Sequence, residues 1–317
     1  MKIGSSFPSI FNDVIGPVMR GPSSSHCAAS LRIGRLARDL MDGKIDEVVI
    51  QFDPRGSIAE THESQGSDMG VFGGLLGWEA TDKRLTQSPT ALEQAGIKAR
   101  IELTEFPAPH PNTYRLRLKS PSEQHELTAL STGGGMIEII EIDGFKLSIH
   151  GDCHETLIFL DYAGKEAARL LAKSMEADEV ILHAHGGSEL VEIKGMHLSD
   201  GERAEELRSR FPVRSIKTLR PVLPVLSPKH ISLPFLTCAE MLRFNQGKDL
   251  PLWELAVLYE GARGALASDE VCRKMREIVA VMEASLLEGR KGTSYEDRIL
   301  GCQSGRYQEQ LENGRLL

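Results

Sequence analysis

Three serines and a histidine stand together near the start of the chain, in the run Gly21-Pro-Ser-Ser-Ser-His26. Hydroxyl groups donate hydrogen bonds to anions, and an imidazole that titrates near neutral pH can position or exchange a proton. The run precedes a segment of helical periodicity, and a helix N-terminus presents free N–H groups and partial positive charge. These residues therefore predict a site for a carboxylate or phosphate group. The alternative is an ordinary capping loop, in which one serine caps the helix and the others are solvated.

The segment that follows has the periodicity of an amphipathic helix. Within residues 31–40, apolar side chains recur at helical spacing, and we expect the helix to end at Asp42-Gly43. The arginines of this segment fall mostly on the opposite face and are Arg32, Arg35 and Arg38. The helix would carry the serine run at its N-terminal end.

Residues 1–150 otherwise mix strands with a glycine-rich stretch. Alternating apolar positions predict strands at 47–52, 99–104, 114–118, 125–130 and 136–142. The glycines of the stretch 66–77 predict a helix that packs closely on its neighbours. We expect these residues to form an α/β domain.

Residues 154–222 have a more regular order. Strands are predicted at 155–161, 179–184, 190–194 and 213–219, and helices at 165–174 and 199–209. The second helix is expected to begin with Ser199 as its N-cap residue. The resulting β-α-β-β-α-β order is that of a ferredoxin-like unit.

Beyond a proline-containing linker, the pattern becomes helical. Helices are predicted at 236–244, 252–262 and 269–287, with Ser268 capping the last, and residues 289–317 predict polar, glycine-rich turns. The whole chain is therefore predicted to be an α+β protein with a helical C-terminal segment.

Charge and hydropathy exclude several classes of protein. The 317 residues carry a net charge of −8, which argues against a nucleic-acid binder. The chain has no apolar run of about 18 residues and no apolar signal core near its start, so we expect a cytoplasmic protein without membrane contact. The glycine spacings match neither a P-loop nor a dinucleotide-binding loop, and no lysine stands in a context typical of a Schiff base.

The cysteines are scattered along the chain and include no C-x-x-C pair. This pattern predicts reduced thiols rather than disulfides, and no metal site held by this chain. The five residues are Cys27, Cys153, Cys238, Cys272 and Cys302.

Three motifs carry a resemblance to a known family. The segment 9–16 followed by Gly21-Pro-Ser-Ser-Ser-His26 resembles the opening of the beta domain of iron–sulfur L-serine dehydratases, with Cys27 where the family usually has threonine. The run Gly56-Ser-Ile-Ala-Glu-Thr61, the residues Gly66-Ser-Asp68 and the glycines of 73–77 resemble a second family motif. In that motif, Gln65 takes the place of the family's histidine, and His62 would be a polar loop residue. Ser131-Thr-Gly-Gly-Gly135 resembles a glycine turn near the end of the same domain.

The remaining segments resemble other parts of the same enzymes. The unit at 154–222, with Asp161-Tyr-Ala-Gly164 leading into its first helix, resembles an ACT domain. Residues 235–242 and 298–306 resemble N-terminal parts of the alpha half, whose cluster cysteines would follow later. The resemblance thus implies a beta-type domain at 1–150, an ACT-like domain at 151–224 and an alpha-like helical segment at 225–317.

The resemblance implies a dehydratase subunit that converts L-serine into pyruvate and ammonia. Its active site would use a [4Fe–4S] cluster, which we expect an alpha-type partner chain to hold, in a homo- or hetero-oligomer. His26 would position or exchange a proton. The predicted substrate-binding residues are Ser23, Ser24, Ser25, Ser57 and Thr61.

Two other functions are compatible with the same residues. The chain is alternatively a non-catalytic regulatory protein whose ACT-like unit senses an amino acid, or an inactive split product.

Overall fold

A computed structural model describes residues 7–174, 177–195, 201–292 and 303–315. The fold is mixed α+β, with two sheets and several helices. The strands are β1 (Glu47–Phe52), β2 (Lys98–Leu103), β3 (Thr113–Lys119), β4 (Gln124–Gly133), β5 (Met136–Ile142), β6 (Phe145–Ile149), β7 (His154–Leu160), β8 (Glu179–His185), β9 (Ser188–Gly195) and β10 (Val213–Leu219). The α-helices are α1 (Ser24–Leu40), α2 (Ile58–Thr61), α3 (Ser67–Leu75), α4 (Ser88–Gln94), α5 (Gly164–Ser174), α6 (Gly201–Arg210), α7 (Cys238–Asn245), α8 (Leu252–Gly264), α9 (Ser268–Lys291) and α10 (Ser304–Glu312).

The chain forms two compact units. The first comprises Met1–Leu233 with Ala262–Ala265, and the second comprises Pro234–Gly261 with Leu266–Leu317. Both β-sheets belong to the first unit. Within the described residues, no helix is long and apolar enough to cross a lipid bilayer.

The larger sheet has six strands in the order β2-β1-β3-β4-β5-β6. The β1–β2 pair is parallel, and the other neighbours run antiparallel. Apolar side chains of the sheet meet those of α1 and α3 in one buried core. Alternate residues of β4 and β6 are buried, which is the pattern of a sheet with one covered face.

Helices α1 and α3 cross at very short distance. A Cβ atom added at Gly34 would lie 2.4 Å from Val71 O, and one added at Gly74 would lie 2.1 Å from Leu31 O. Because these contacts are with backbone atoms, the neighbours have no side chain to rotate out of the way. The predicted close packing of the stretch 66–77 is therefore present, and glycine is what permits it.

The two helices run in the same direction. Gly70 of α3 lies against Cys27 of α1, and Gly74, one turn later, lies against Leu31, also one turn later. The N-termini of α1 and α3 consequently lie at the same end of the pair.

Helix α1 differs from its prediction in two respects. It begins at Ser24 rather than near residue 31, because its first turns are also helical and are buried from Cys27 onward. The expectation that Arg32 lies on the exposed face was wrong: the residue is only 2% exposed, and its Nη1 donates a hydrogen bond to Gly135 O. Burial lowers the pKa of Arg32 to about 10. This contact ties the β4–β5 turn to α1.

The smaller sheet has the antiparallel order β10-β7-β9-β8, and its elements follow the predicted β-α-β-β-α-β sequence. Apolar residues of one face pack with α5 and α6 in a separate core. Leu157, Phe159 and Leu190 of the other face join the core of the larger sheet. The segments 1–150 and 151–224 thus share a buried seam, and their exact boundary stays a prediction.

Ion pairs, each with one buried member, link the smaller sheet to the end of α1 and to the turn before β4. The ammonium group of Lys217, on β10, lies 2.7 Å from Asp42 and 2.6 Å from Glu123. Arg220 pairs with Asp39 of α1 at 2.7 Å. These pairs hold the smaller sheet against the C-terminal end of α1.

The second unit is helical, as predicted, with two differences in detail. Helix α7 begins with a capping box between Thr237 and Glu240. Helix α9 begins one residue earlier than predicted, and its N-cap residue is Ala267 rather than Ser268, without a capping side chain. Helix α10 forms where the sequence predicted turns.

We predict that Gly74→Ala lowers the stability of the first unit by about 1–3 kcal/mol, because the new methyl group would collide with the backbone of α1. Gly289→Ala is the matched control, since Gly289 lies inside α9 with open space around its Cα. That control should raise helix stability by about 0.5–1 kcal/mol. Urea unfolding followed by circular dichroism measures both, and an unchanged midpoint for Gly74→Ala would refute the close crossing.

Candidate functional site

The site predicted at the serine run lies where the N-termini of α1 and α3 meet. The Ser23 N–H donates to Gln65 O at 3.3 Å, and a Cβ atom added at Gly66 would lie 2.9 Å from Pro22 Cδ. The first turn of α1 is therefore held beside the first turn of α3. Two helix dipoles with the same direction place their positive ends together at this point.

The N-terminus of α1 has no capping side chain. Ser23 is the N-cap residue, yet its Oγ lies 2.7 Å from His26 Nδ1 instead of bonding to the first-turn backbone. The first turn contains no acidic residue, and the N–H groups of Ser24, Ser25 and His26 have no acceptor within the helix. Ser23 therefore does not cap the helix, and its first turn has the arrangement of N–H groups from which helix N-termini bind anions.

A second histidine lies at the same place. His62 Nδ1 is 2.9 Å and 2.8 Å from the two carboxylate oxygens of Asp68, which lies in the first turn of α3. The ring of His62 lies 5.3 Å from that of Phe52, which packs edge-on against buried Tyr114. Burial raises the pKa of Asp68, and the contact with His62 acts in the opposite direction. An imidazole held this way keeps Nε2 directed away from its carboxylate partner.

The sequence predicts a polar loop residue at His62, and the pairing with Asp68 is an additional finding of the structure. The signal available in the sequence was Asp68, which stands six residues after His62 and two residues after Gly66. Gly66 adopts a positive φ of 77°, which folds the chain back so that Asp68 reaches His62. Gln65, which stands at the family's histidine position, accepts the Ser23 N–H through its backbone oxygen.

Ser57 is the N-cap residue of α2 and Thr61 is its last residue, and their hydroxyl groups already have partners. Ser57 Oγ donates to Asn112 Oδ1 at 2.8 Å, and Thr61 Oγ1 donates to Ser57 O at 2.9 Å. Thr61 is joined to the site through its carbonyl, which accepts the N–H of Gln65. The structure thus brings together Ser23, Ser24, Ser25 and His26, whereas Ser57 faces Asn112.

The glycine turn between β4 and β5 also reaches α1. A Cβ atom at Gly135 would lie 2.7 Å from Met19 Sδ and 2.9 Å from Arg32 Nη1. Gly133 and Gly134 have positive φ angles of 108° and 61° and open space around them. All three sequence motifs therefore connect to one helix, α1.

Two curated proteins are similar to this chain. One is the "Probable L-serine dehydratase, beta chain" of Bacillus subtilis (strain 168), 40% identical over 146 residues, which are 46% of this chain and 65% of the relative. The other is the "L-serine dehydratase, beta chain" of Peptoniphilus asaccharolyticus, 32% identical over 152 residues, which are 47% of this chain and 67% of the relative.

The chain belongs to the L-serine dehydratase beta-chain family. It spans about two thirds of the length of each of these relatives. No family model matches the chain.

The described cysteines of this beta-chain family member do not fit an iron–sulfur cluster. Cys27 of α1 is buried where this helix packs against Gly70 of α3. Burial raises the pKa of its thiol to about 11. Cys153 is buried next to Glu155, and burial raises its pKa as well. Cluster iron binds thiolates gathered in one pocket. In the described ranges, no three His, Cys, Asp or Glu side chains are grouped to hold a metal, and Cys302 lies outside those ranges.

We predict that iodoacetamide labels exposed Cys238 well before Cys27 and Cys153 in the native chain, because only thiolates react and burial opposes ionisation. Peptide mass spectrometry measures the three rates. Urea should remove the difference. Native labelling of Cys27 as fast as that of Cys238 would contradict the buried thiol.

Proposed function

We propose that this chain is a subunit of an iron–sulfur L-serine dehydratase, which converts L-serine into pyruvate and ammonia. In this proposal it binds the substrate, and an alpha-type partner chain supplies the [4Fe–4S] cluster. The family of the chain and the beta-chain names of its relatives support this function. The observation that carries it is the uncapped N-terminus of α1, which lies beside two histidines.

The substrate carboxylate would bind at the first turn of α1. The backbone N–H groups of Ser24 and Ser25 and their hydroxyl groups are the donors, and the helix dipole adds favourable charge. Ser23 would act indirectly, because its hydroxyl group holds the His26 ring. The carboxylate is the part of serine that stays charged throughout the reaction, so a fixed anion site orients the molecule.

The two histidines would handle the protons of the elimination. His26 is held through Nδ1 by Ser23, and His62 is held through Nδ1 by Asp68, which leaves Nε2 of each ring for proton transfer. General acid–base catalysis requires such fixed imidazoles. The proposal assigns the activation of the departing hydroxyl group to the partner chain, because the described cysteines of this chain do not fit a cluster.

The other segments would serve the assembly. We propose that residues 151–224 form an ACT-like domain and that 225–317 corresponds to the N-terminal part of the alpha half. The β-α-β-β-α-β order of the smaller sheet and the helices of the second unit support these assignments. Such chains would work as homo- or hetero-oligomers.

A non-catalytic, amino-acid-sensing regulatory chain is the second candidate. The order of the smaller sheet favours it, because ACT-like units are regulatory modules. Anaerobic co-expression with an alpha-type chain separates the two: pyruvate formation from L-serine supports the enzyme, and its absence despite a bound cluster supports the sensor.

In that assembled enzyme, we predict that His26→Ala lowers turnover of L-serine by about 10²-fold or more, because a positioned proton-transfer group is lost. Pyruvate formation at saturating L-serine measures this. The matched control is exposed His230→Ala, which should retain activity. Near-normal turnover of His26→Ala would remove this histidine from the mechanism.

Asp68→Asn tests the second histidine. The amide keeps the shape of the side chain but loses the charge that holds His62, so we predict a fall in kcat of about tenfold or more and a changed pH profile. The control is Asp82→Asn, which breaks the surface pair with Arg84. If both variants have the same kcat and pH profile as the unmodified enzyme, Asp68 has no positioning role.

A further inference from the structure

Helix α9 of the second unit is long, and much of it is uncovered. It extends over 24 residues, about 36 Å, and every residue from Val279 to Lys291 is exposed. Among the described residues of this unit, the buried apolar side chains are Phe235, Leu255 and Val271. Other large apolar side chains of the unit therefore stay on its surface, and α9 carries several of them.

Four apolar side chains form one stripe along this helix, which we call the α9 stripe. Its members are Met275, Val279, Met282 and Leu286, at spacings of four, three and four residues. This is the a/d pattern of a coiled coil, in which each side chain fits between side chains of a facing helix. Val279 is 43% exposed, Met282 51% and Leu286 71%, so the described residues leave most of the stripe uncovered.

Charged residues of alternating sign line one flank of the α9 stripe. With Val279 at heptad position a, position e recurs every seven residues. The residues at position e are Asp269, Arg276, Glu283 and Arg290, and all are exposed. Such residues border the contact in a coiled coil and pair across it, so their signs select the partner and its orientation.

The α9 stripe is complementary to itself about a two-fold axis between residues 280 and 281. In an antiparallel pair with that axis, Val279 of one copy faces Met282 of the other. Met275 faces Leu286 in the same way. Every contact occurs twice, as in any two-fold symmetric interface, and each layer of the contact is apolar.

The same axis matches the charges of the flank. Arg276 lies opposite Glu283 of the second copy, and neither side chain has an ion-pair partner among the described residues of its own chain. Asp269 lies opposite Arg290 by the same symmetry. Arg290 already pairs with Glu312 of α10 at 3.1 Å, so the argument rests on the central pair.

The antiparallel orientation is the one that uses these charges. In a parallel coiled coil, residues at position e pair with residues at position g of the partner helix. The g positions of α9 are Val271, Ile278 and Ser285, which carry no charge. A parallel copy would therefore leave Arg276 and Glu283 unpaired.

We propose that α9 binds α9 of a second copy of this chain as an antiparallel coiled coil. Burial of the α9 stripe supplies the attraction, and the pairs between Arg276 and Glu283 set the orientation. A partner of different sequence would require no symmetric placement of opposite charges in this chain, so the pattern favours a second copy. The inference does not rest on the dehydratase function.

Charge reversal on the full chain tests the pairing. Arg276→Glu and Glu283→Arg each bring like charges together twice, so we expect each to raise the dimer dissociation constant about tenfold or more. The double variant restores opposite charges and should regain the affinity of the unmodified chain. Sedimentation equilibrium over a range of concentrations measures these constants. A double variant that binds as weakly as the single variants would overturn the proposal.

A lysine placed in the α9 stripe tests the apolar contact. Met282→Lys would bury an ammonium group beside the two-fold axis, so self-association should weaken about 100-fold. Leu242→Lys is the matched control, because Leu242 is 68% exposed on α7 and should leave the dissociation constant unchanged. Circular dichroism establishes that both variants are folded. An unmodified chain that stays monomeric, or folded Met282→Lys that associates normally, would refute the coiled coil.

Discussion

The close parallel crossing of α1 and α3 is the constraint on which the rest of the structure depends. Glycines at 34, 70 and 74 let the two backbones meet, and no other residue leaves room for the facing carbonyl groups. Because the helices run in the same direction, the crossing brings both N-termini to one place. A longer distance or an antiparallel pair would separate the serine run from the His62–Asp68 pair.

The same crossing explains the electrostatics of the site. Helix α1 is almost entirely buried, so its exposed polar groups are concentrated at its first turn. The Ser23 hydroxyl group bonds to His26 instead of capping the helix. The N–H groups of the first turn therefore have no acceptor within the helix. Farther along the helix, buried Arg32 fastens the glycine turn of 133–135 to the same framework. The first turn of α1 is thus continuous with a closely packed framework.

Local patterns were sufficient to predict much of this arrangement. The strands β1 and β10 match their predicted ranges, and the glycine-rich stretch forms the predicted packed helix, since period and composition determine such elements. The placement of the serine run at a helix N-terminus is also present in the structure. Sequence spacing could not show that Arg32 is buried, because a position opposite the apolar stripe of the helix predicts exposure to solvent. In the fold, the β4–β5 turn covers it.

Contacts that depend on tertiary folding were the ones missed. The His62–Asp68 pair requires the reversal at Gly66, and the buried ion pairs among Glu155, His183, Glu192 and Lys194 require strand pairing between β7, β8 and β9. The sequence analysis did not predict β6. Only the two-residue turn Asp143-Gly144 separates β6 from β5, and apolar residues flank that turn on both sides. The residue types in these features occur throughout the sequence. Their roles become recognisable only when the fold shows which residues are neighbours.

The most direct measurement is an amide-resonance titration of the chain with L-serine and with L-serinamide, which lacks the carboxylate. We expect L-serine to shift the backbone amides of Ser24, Ser25 and His26, and L-serinamide to leave them in place. Equal shifts with the two compounds, or shifts with L-serine that avoid the first turn of α1, would contradict this expectation.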